Sequence, residues 1–395
     1  MKLVEIRKKL HTLAEIAHQE KKTAAFVTGR LHETGVTDIY EGIGGYGLIA
    51  VIDSGKKGPS VLFRAELDAL PIEESLDLDY ASKQKGVSHK CGHDGHMAIL
   101  LGLAEKLRKN PLKSGKVYLL FQPAEETGEG AQKMLDDKKW PDISPDYAFA
   151  LHNLPGFPLH SVLLRNNVFA AGSRGLIVRL NGSTAHAAHP EHAKSPTSAV
   201  ATLINDWQSL PRSAMPFDRA GLVTIIHARI GEQAFGTTPG YAELMATIRA
   251  HQTDDLDLLS DKAVKMAKAV ASQWELKMEH EWTERFQPTS NDPDSVALIE
   301  KVAERLSGGK EKGTKGRKSK KGSDGHVDDI RHLPRPFSWS EDFGHFTERY
   351  PGALFGLGAG DKQPQMHDKK YDFPDELLPT GVLLFDGIID QLDMR

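Results

Sequence analysis

The sequence predicts an α/β protein, with a mostly parallel-sheet domain that is interrupted by an inserted ferredoxin-like α+β domain. Short apolar strands alternate with amphipathic helices in both terminal parts of the chain, which favours a parallel sheet with helices against its faces. The middle part has the order β-α-β-β-α-β over about 110 residues, which is the ferredoxin-like pattern. A length of 395 residues favours two domains over one or three.

The elements of the terminal parts follow from apolar spacing. Leu3, Ile6, Leu10 and Leu13 recur at three- and four-residue intervals, which predicts a first helix. Later apolar runs, bounded by Gly- and Pro-rich turns, predict strands at residues 48–52, 60–63, 117–121, 147–151 and 353–357, and helices at residues 96–109, 295–306 and 378–392.

Strands and amphipathic helices also follow one another in the inserted part, in a different order. We expect strands at residues 173–180, 222–230, 241–249 and 275–282, and helices at residues 195–210 and 256–274. Small residues precede this part and a Pro-rich stretch follows it, and both are typical of hinges. We therefore predict a discontinuous domain, residues 1–170 and 287–395, and an inserted domain, residues 171–286.

Composition excludes several classes of protein. Lys and Arg number 50 and Asp and Glu 54, so the net charge of −4 argues against a dedicated nucleic-acid binder. No apolar run approaches the length of a membrane span, and the N-terminal segment lacks the apolar stretch of a signal peptide. A single cysteine indicates a reducing compartment. We expect a cytoplasmic protein without nucleic-acid or membrane partners.

Residues 308–325 form a basic, Gly-rich stretch without apolar periodicity. It holds seven basic residues and two acidic residues, so we expect a flexible surface loop. A contact with a polyanion is the alternative interpretation of such a charge run, and the net charge of the chain argues against it.

The strongest chemical motif is HKCGHDGH at residues 89–96. It places a thiolate, imidazoles and a carboxylate within eight residues, a donor set that suits a transition metal, with Cys91 and His93 as the first candidates. The motif precedes a predicted helix, so we expect a loop that folds these side chains inward. The alternative is a polar loop with an inert, buried cysteine.

Further candidates follow predicted strands. Glu125 and Glu126 come directly after one strand, and His152 and His367 lie at the ends of two others. The carboxyl ends of parallel strands meet at one edge of a sheet, so these groups converge. Adjacent carboxylates can divide the work, one binding metal while the other accepts a proton. His186 lies among small residues of the inserted part, and an ordinary loop histidine is its equally simple interpretation.

Together these motifs resemble the aminoacylase/carboxypeptidase family of metallohydrolases. The resemblance covers nearly the whole chain. Within the family, the chain is similar above all to the branch of N-acyl-L-amino-acid amidohydrolases, hippurate hydrolases and indole-acetate–amino-acid hydrolases. The matching segments, in chain order, are RAELDALPIEE, HKCGHDGH, GKVYLLFQPAEETGEGAQKML, ALHNLPGFP, GSTAHAAHPEH, ATIRA, SEDFGHF and MHD.

The resemblance implies two divalent metal ions per chain, zinc, manganese or cobalt, with a bridging thiolate. The implied metal ligands are Cys91, His93, Glu126, His152 and His367. Glu125 is implied as general base for a metal-activated water that attacks an amide carbonyl. The inserted domain is implied to be a lid through which two chains form a homodimer, with His186 stabilising the oxyanion.

Other residues receive supporting roles. Asp68, Asp94 and Asp342 are expected to orient metal ligands or support the site, and Arg249 to bind a substrate carboxylate; capping, loop or surface roles are the alternatives. Two positions depart from the family pattern. Glu66 replaces an aspartate, and Gly236 stands where an asparagine is usual, which leaves a lid amide absent unless Thr237 or Thr238 takes its place.

The predicted activity is therefore metal-dependent hydrolysis of the amide bond of an N-acylated amino acid or small peptide. A diaminopimelate-type deacylase or a dipeptidase of the same family is the first alternative, since the lid pocket decides between them. A non-catalytic metal-dependent binder is a further alternative, and the paired Glu125 and Glu126 argue against it.

Overall fold

The structure, a computed structural model, describes residues 1–308 and 325–395. These residues divide into two compact units. The first comprises Met1–Phe169, Thr289–Arg335 and Asp342–Arg395, and the second Ala170–Pro288 and Pro336–Glu341. Except for its two end glycines, the predicted basic loop at residues 308–325 lies outside the described residues.

Regular elements cover most of the described chain. The strands are β1 (Ile39–Ile43), β2 (Gly47–Asp53), β3 (Ser60–Glu66), β4 (Lys116–Gln122), β5 (Tyr147–Leu154), β6 (Ser161–Leu164), β7 (Asn167–Ala170), β8 (Gly172–Asn181), β9 (Gly221–Ile230), β10 (Tyr241–Ala250), β11 (Lys277–Phe286), β12 (Thr289–Asn291), β13 (Asp329–His332) and β14 (Gly352–Gly358). The helices are α1 (Leu3–Leu13), α2 (Lys21–Glu33), α3 (His93–Lys109), α4 (Gly130–Leu135), α5 (Thr197–Ala214), α6 (Thr253–Gln273), α7 (Pro293–Leu306), α8 (Gly344–Thr347) and α9 (Leu377–Gln391).

The first unit is built on an eight-stranded sheet with the order β1-β2-β4-β3-β5-β14-β6-β13. Its centre is parallel, since β3 pairs in parallel with β4 and β5, and β14 with β5. The central strands are buried along almost their whole length, as a parallel sheet covered on both faces requires. The predicted fold class is confirmed.

Helix α3 begins earlier than the sequence predicted. It starts at His93, three residues before the expected start, because its first turn is polar and gives no apolar periodicity. Gly92 enters the helix with φ 99°, and a β-carbon there would lie 2.2 Å from Oδ1 of Asn153. The motif is thus not wholly a loop, because His93 and His96 project from a rigid helical turn.

The second unit is a four-stranded antiparallel sheet with the order β11-β8-β10-β9, covered by α5 and α6. The chain order β8-α5-β9-β10-α6-β11 is the ferredoxin-like order. Trp207, fully buried, anchors the core of this unit and donates its indole N–H to the carbonyl of Ala263 at 3.1 Å.

The short segment Pro336–Glu341 groups with the second unit. The sequence analysis placed it in the discontinuous domain, residues 1–170 and 287–395. Its backbone oxygens at Phe337 and Trp339 accept from the N–H of Ala171, at 3.0 and 3.1 Å. This attachment depends on long-range backbone pairing, which no local pattern reveals. Among the described residues, no helix combines the length and apolarity needed to cross a lipid bilayer.

Candidate metal centre

The predicted metal ligands, which come from separate segments, meet in the first unit. One group contains Cys91, His93 and His152, with their ligand atoms within 4.8 Å of one another. A second group, with the same spacing, contains Cys91, Glu126 and His367. They meet because β4 and β5, both parallel to β3, end at the edge of the sheet where α3 begins. The thiol belongs to both groups, so two ions could share it.

Backbone carbonyls set the orientation of two of the imidazoles. Nδ1 of His152 donates to the carbonyl of Asn153 at 2.9 Å, and its Nε2 lies 3.5 Å from Sγ of Cys91. Nδ1 of His93 donates to the carbonyl of Asp68 at 2.8 Å. These bonds assign the proton to Nδ1 and leave the lone pair of each Nε2 for a metal ion.

The two glutamates follow β4 in a tight turn and occupy different positions. Nε2 of His93 lies 3.7 Å from Oε2 of Glu125 and 3.9 Å from Oε1 of Glu126. The second carboxylate also lies 3.5 Å from Nε2 of His367, whose backbone N–H donates to the carbonyl of Lys90 at 2.8 Å. Glu126 therefore lies between two imidazoles, whereas Glu125 adjoins His93.

The centre is electronegative. Burial alone would lower the pKa of His93, but the surrounding carboxylates, Glu66 first among them, raise it to about 10. Such surroundings favour a positive charge, and a divalent cation competes with the proton for the same lone pair. Burial lowers the pKa of His367, and the charge of His93 adds to the effect, so this ring is kept neutral and able to bind a metal.

The residues present fit divalent metal ions. Over residues 1–308 and 325–395, the buried Nε2 of His93 makes no hydrogen bond, although two carboxylates lie within 4 Å of it. A buried polar atom without a partner is rare in folded proteins, and a metal ion would satisfy it. Thiolate, imidazole and carboxylate ligands together suit zinc, manganese or cobalt.

Two of the predicted supporting aspartates adjoin the centre. The carbonyl of Asp68 orients His93, while its Oδ2 accepts from the backbone N–H of Glu126 at 2.9 Å. Asp342 accepts from Nε2 of Gln122 at 2.7 Å, at the end of β4 and just before the two glutamates. Both carboxylates are fully buried. Asp68 thus holds the backbone of the turn that carries the glutamates, and Asp342 holds Gln122, which precedes that turn.

The third aspartate, Asp94, belongs to a buried charge network that the sequence analysis did not predict. Its Oδ2 accepts from Nδ1 of His11 at 2.8 Å and from Nη1 of Arg7 at 3.3 Å. Nε2 of His11 is bonded to Glu74 at 2.8 Å, and Nζ of Lys90 donates to the same carboxylate at 2.5 Å. The sequence feature that could have revealed this network is Lys90, a lysine that lies between His89 and Cys91 in the metal-binding motif. The network attaches α1 to the metal-ligand segment.

In Glu66, which departs from the family pattern, each carboxylate oxygen has a partner. Its Oε2 accepts from Nδ1 of His96 at 2.7 Å, and its other oxygen pairs with Arg64. Burial would raise the pKa of Glu66, but Arg64 and His96 hold it well below its ordinary value. Nε2 of His96 in turn accepts from the backbone N–H of Asn153 at 3.3 Å. The longer side chain therefore holds the His96 ring against β5.

The other two predicted residues belong to the second unit. His186 is exposed, and its Nδ1 accepts from the N–H of Ala188 at 3.1 Å, which leaves the ring proton on Nε2. Nη1 of Arg249 donates to Oγ of Ser340 at 2.7 Å and to the carbonyl of Ser338 at 3.3 Å. Arg249 thus has a structural partner within its own unit. The roles of both residues toward a substrate stay predictions.

A buried thiol, imidazoles and carboxylates gathered at the edge of an α/β sheet are the donor set of a divalent-metal site. The chain belongs to peptidase family M20/M25/M40, whose family model matches residues 62–391. It is therefore an enzyme of the metal-dependent amidohydrolase class, and the resemblance inferred from its motifs is confirmed.

Relatives of the chain match over nearly its whole length. It is 31% identical to the hippurate hydrolase of Campylobacter jejuni, over 94% of this chain and 92% of that protein. It is 28% identical to the N-acetyldiaminopimelate deacetylase of Oceanobacillus iheyensis, over 97% of each chain. Its fold is shared with a dinuclear metal-binding peptidase of the M20 family from Bacillus subtilis, with a TM-score of 0.78, 24% identity, and coverage of 100% of this chain and 98% of that chain.

Proposed function

We propose that this chain hydrolyses the amide bond of N-acylated amino acids, with two divalent metal ions held around Cys91. The observation that carries the proposal is that Cys91 belongs to two groups of possible ligands, one with His93 and His152 and the other with Glu126 and His367. Zinc, manganese and cobalt all suit the donor set. When bound, these ions supply Lewis acidity, which polarises the scissile carbonyl and makes water more acidic.

Glu125 is the proposed general base. Its carboxylate is 5% exposed and adjoins the imidazole of His93, while its neighbour Glu126 lies between two ligand histidines. Glu125 is thus the carboxylate of the pair that can accept the proton of the attacking water and return it to the leaving nitrogen. Its burial excludes bulk water from this transfer and strengthens its electrostatic interactions with neighbouring charges.

Two residues of the second unit complete the proposal. His186, with its proton on Nε2, is the proposed donor to the oxyanion that develops on the substrate carbonyl. Arg249 is the proposed partner of the substrate carboxylate, since a guanidinium binds a carboxylate through two parallel hydrogen bonds. Its bond to Ser340 supports the alternative, a purely structural role.

The second unit is the proposed lid and the surface through which two chains pair. Strand β9 is the outer strand of its sheet, and Leu222 and Ile226 on it are 51% and 60% exposed. An apolar edge strand that pairs with a second copy would satisfy its free backbone groups. The single cysteine, which must stay reduced to bind metal, supports a cytoplasmic location.

The test is release of primary amine from N-acetyl and N-benzoyl amino acids, N-acetyldiaminopimelate and simple dipeptides. The protein is first stripped by a chelator and then reloaded with zinc, manganese or cobalt. We expect metal-dependent release that falls roughly 10²- to 10⁴-fold in Glu125→Ala while bound metal is retained. Glu129→Ala, a half-buried residue that follows the two glutamates and pairs with Lys133 and His18, is the matched control with unchanged activity.

The same panel decides between the proposal and its alternatives. The similarity to an N-acetyldiaminopimelate deacetylase makes a diaminopimelate-type deacylase the second candidate, and a preference for that substrate would establish it. Preference for unblocked dipeptides would establish a dipeptidase. Two tightly bound ions with no amine release from any substrate would contradict the proposal and favour a metal-dependent binder.

A further inference from the structure

The turn that carries Glu125 has a conformation that its own residues disfavour. Ala124 has φ 51°, in the left-handed region, and its side chain is fully buried. A residue with a β-carbon adopts this region at a cost, so the surrounding structure must hold it there. The carbonyl of Ala124 accepts from the N–H of Gly130 at 3.1 Å, which fixes one side of the peptide.

The backbone N–H groups on either side of Glu125 donate to two fully buried carboxylates. The N–H of Ala124 donates to Oε1 of Glu20 at 2.9 Å, and the N–H of Glu126 donates to Oδ2 of Asp68 at 2.9 Å. Both acceptors come from other segments of the chain. The position of Glu125 therefore depends on two bonds made by its neighbours.

Glu20 is itself fixed where the chain enters α2. Its Oε1 also accepts from the N–H of His18 at 3.0 Å. The carbonyl of Glu15, earlier in the same segment, accepts from the N–H of Ala69 at 2.8 Å, next to Asp68. The segment before α2 thus contacts both places from which the catalytic turn is held.

Placing a carboxyl group at this position is costly. Glu20 is fully buried, and across the described residues its Oε2 has no hydrogen-bond partner. Burial, together with the charge of Asp68, raises the pKa of Glu20 to about 7. An apolar side chain of the same size would avoid both costs, but it could not accept the N–H of Ala124.

We propose that Glu20 is a positioning residue, which holds the turn at residues 124–126 so that the Glu125 carboxylate is presented to the substrate. This inference rests on the proposed role of Glu125 as general base. Glu20 acts through the backbone of Ala124, and among the described residues its carboxylate makes no hydrogen bond to a proposed metal ligand. Its loss is expected to affect the chemical step rather than substrate or metal binding.

Two substitutions of similar size separate these effects. Glu20→Met fills the same volume without an acceptor, and Glu20→Gln keeps an acceptor oxygen. In the metal-loaded enzyme we expect Glu20→Met to lower kcat by roughly 10- to 100-fold, as for a small displacement of a catalytic group, with KM and metal per chain within about twofold of wild type. Glu20→Gln is expected to keep kcat within about threefold of wild type.

Glu15→Met is the matched control. Oε2 of Glu15 accepts from the backbone N–H groups of Lys22 and Thr23 at the start of α2, and within the described part of the chain its side chain makes no hydrogen bond to the turn at residues 124–126. We expect it to lower the melting temperature as much as Glu20→Met does, but to leave kcat unchanged. An equal loss of kcat in Glu15→Met would overturn the proposal and show a general effect of loosening α2. Unchanged kcat in Glu20→Met, or a loss in Glu20→Gln as large as in Glu20→Met, would also overturn it.

A second readout is independent of activity. Hydrogen–deuterium exchange of the peptide covering residues 121–130, in metal-free protein, should be about tenfold faster in Glu20→Met than in wild type and Glu15→Met. If wild-type enzyme releases no amine from any substrate, the proposed function fails, and exchange alone decides whether Glu20 holds the turn. Unchanged exchange in Glu20→Met would overturn the role of Glu20 even in an active enzyme.

Discussion

Cys91 derives its proposed chemistry from its neighbours. It is the single thiol of the chain, is 7% exposed, and lies 3.5 Å from Nε2 of His152. A buried thiol among apolar groups would be inert, whereas one among imidazoles and carboxylates can lose its proton to a metal ion. The charge of Glu66 likewise depends on its neighbours, since its Oε2 accepts from Nδ1 of His96 and its other oxygen pairs with Arg64.

Cys91→Ser is expected to lower metal content before anything else. A hydroxyl is not deprotonated as a thiol is, so the ligand that the proposal gives to both ions would be lost, and both would bind more weakly. Elemental analysis after dialysis should find fewer than two ions per chain, with an unchanged far-ultraviolet circular dichroism spectrum because the exchange is nearly isosteric. Retention of two tightly bound ions by the serine variant would argue against a bridging role.

Helix α1 contributes a buried guanidinium to the centre's support. Arg7 is fully buried and pairs with three carboxylates: Asp94 at 3.3 Å, and Asp372 and Asp375 at 2.8 Å each. The first carboxylate belongs to α3 and the other two to the segment before α9. A single residue of the first helix thus ties the metal-ligand helix to the C-terminal part of the chain.

Removing the Arg7 charge should destabilise the protein strongly. Arg7→Met leaves Asp94 buried with less compensation, and breaking such a buried pair costs about 3–5 kcal/mol. Urea unfolding of metal-free protein measures the loss, with Lys9→Met as control, an exposed residue of the same helix that should change the free energy of unfolding by less than about 0.5 kcal/mol. Equal stability of the two variants would contradict the structural role of the Arg7 network.

At the scale of the whole molecule, the same network makes stability depend on pH. Burial alone would lower the pKa of His11, but its hydrogen bonds to Asp94 and Glu74 outweigh burial and raise it from 6.5 to about 9. A pKa raised by folding means that the charged ring stabilises the folded state. This contribution is fully present below about pH 6.5 and is lost as the pH rises through about 9.

The free energy of unfolding of metal-free protein should therefore decline between about pH 6.5 and 9. His11→Gln has no titrating ring, so its decline over this range should be smaller than that of wild type. Urea unfolding at half-unit intervals of pH measures both slopes. Parallel slopes for the two proteins would show that other groups carry the pH dependence.

The proposed homodimer is a second property of the whole molecule. Ile226→Lys places a charge at the centre of the exposed strand β9, and a charge on an edge strand opposes pairing with another strand. Light scattering after gel filtration should find a dimer for wild type and a monomer for the variant. Lys262→Met, on the exposed side of α6, is the control, and a dimer in the Ile226 variant would exclude pairing through β9.

The sequence by itself determined the fold class, the family and the candidate ligands. Apolar spacing is a local property, and it placed most central strands and the long helices to within a few residues. The HKCGHDGH motif and the glutamate pair after β4 also lie within short segments, so their chemistry was readable before their geometry was known.

Tertiary structure alone decided which distant groups hold those ligands. Glu20, Arg7 and His11 are 83 to 104 residues away from the groups they support, and nothing in their local sequence distinguishes them from surface residues. The start of α3 at His93 escaped prediction because a polar first turn has no apolar period. The physical reason is common to these cases: a buried charge becomes favourable only when folding brings its partner from another part of the chain.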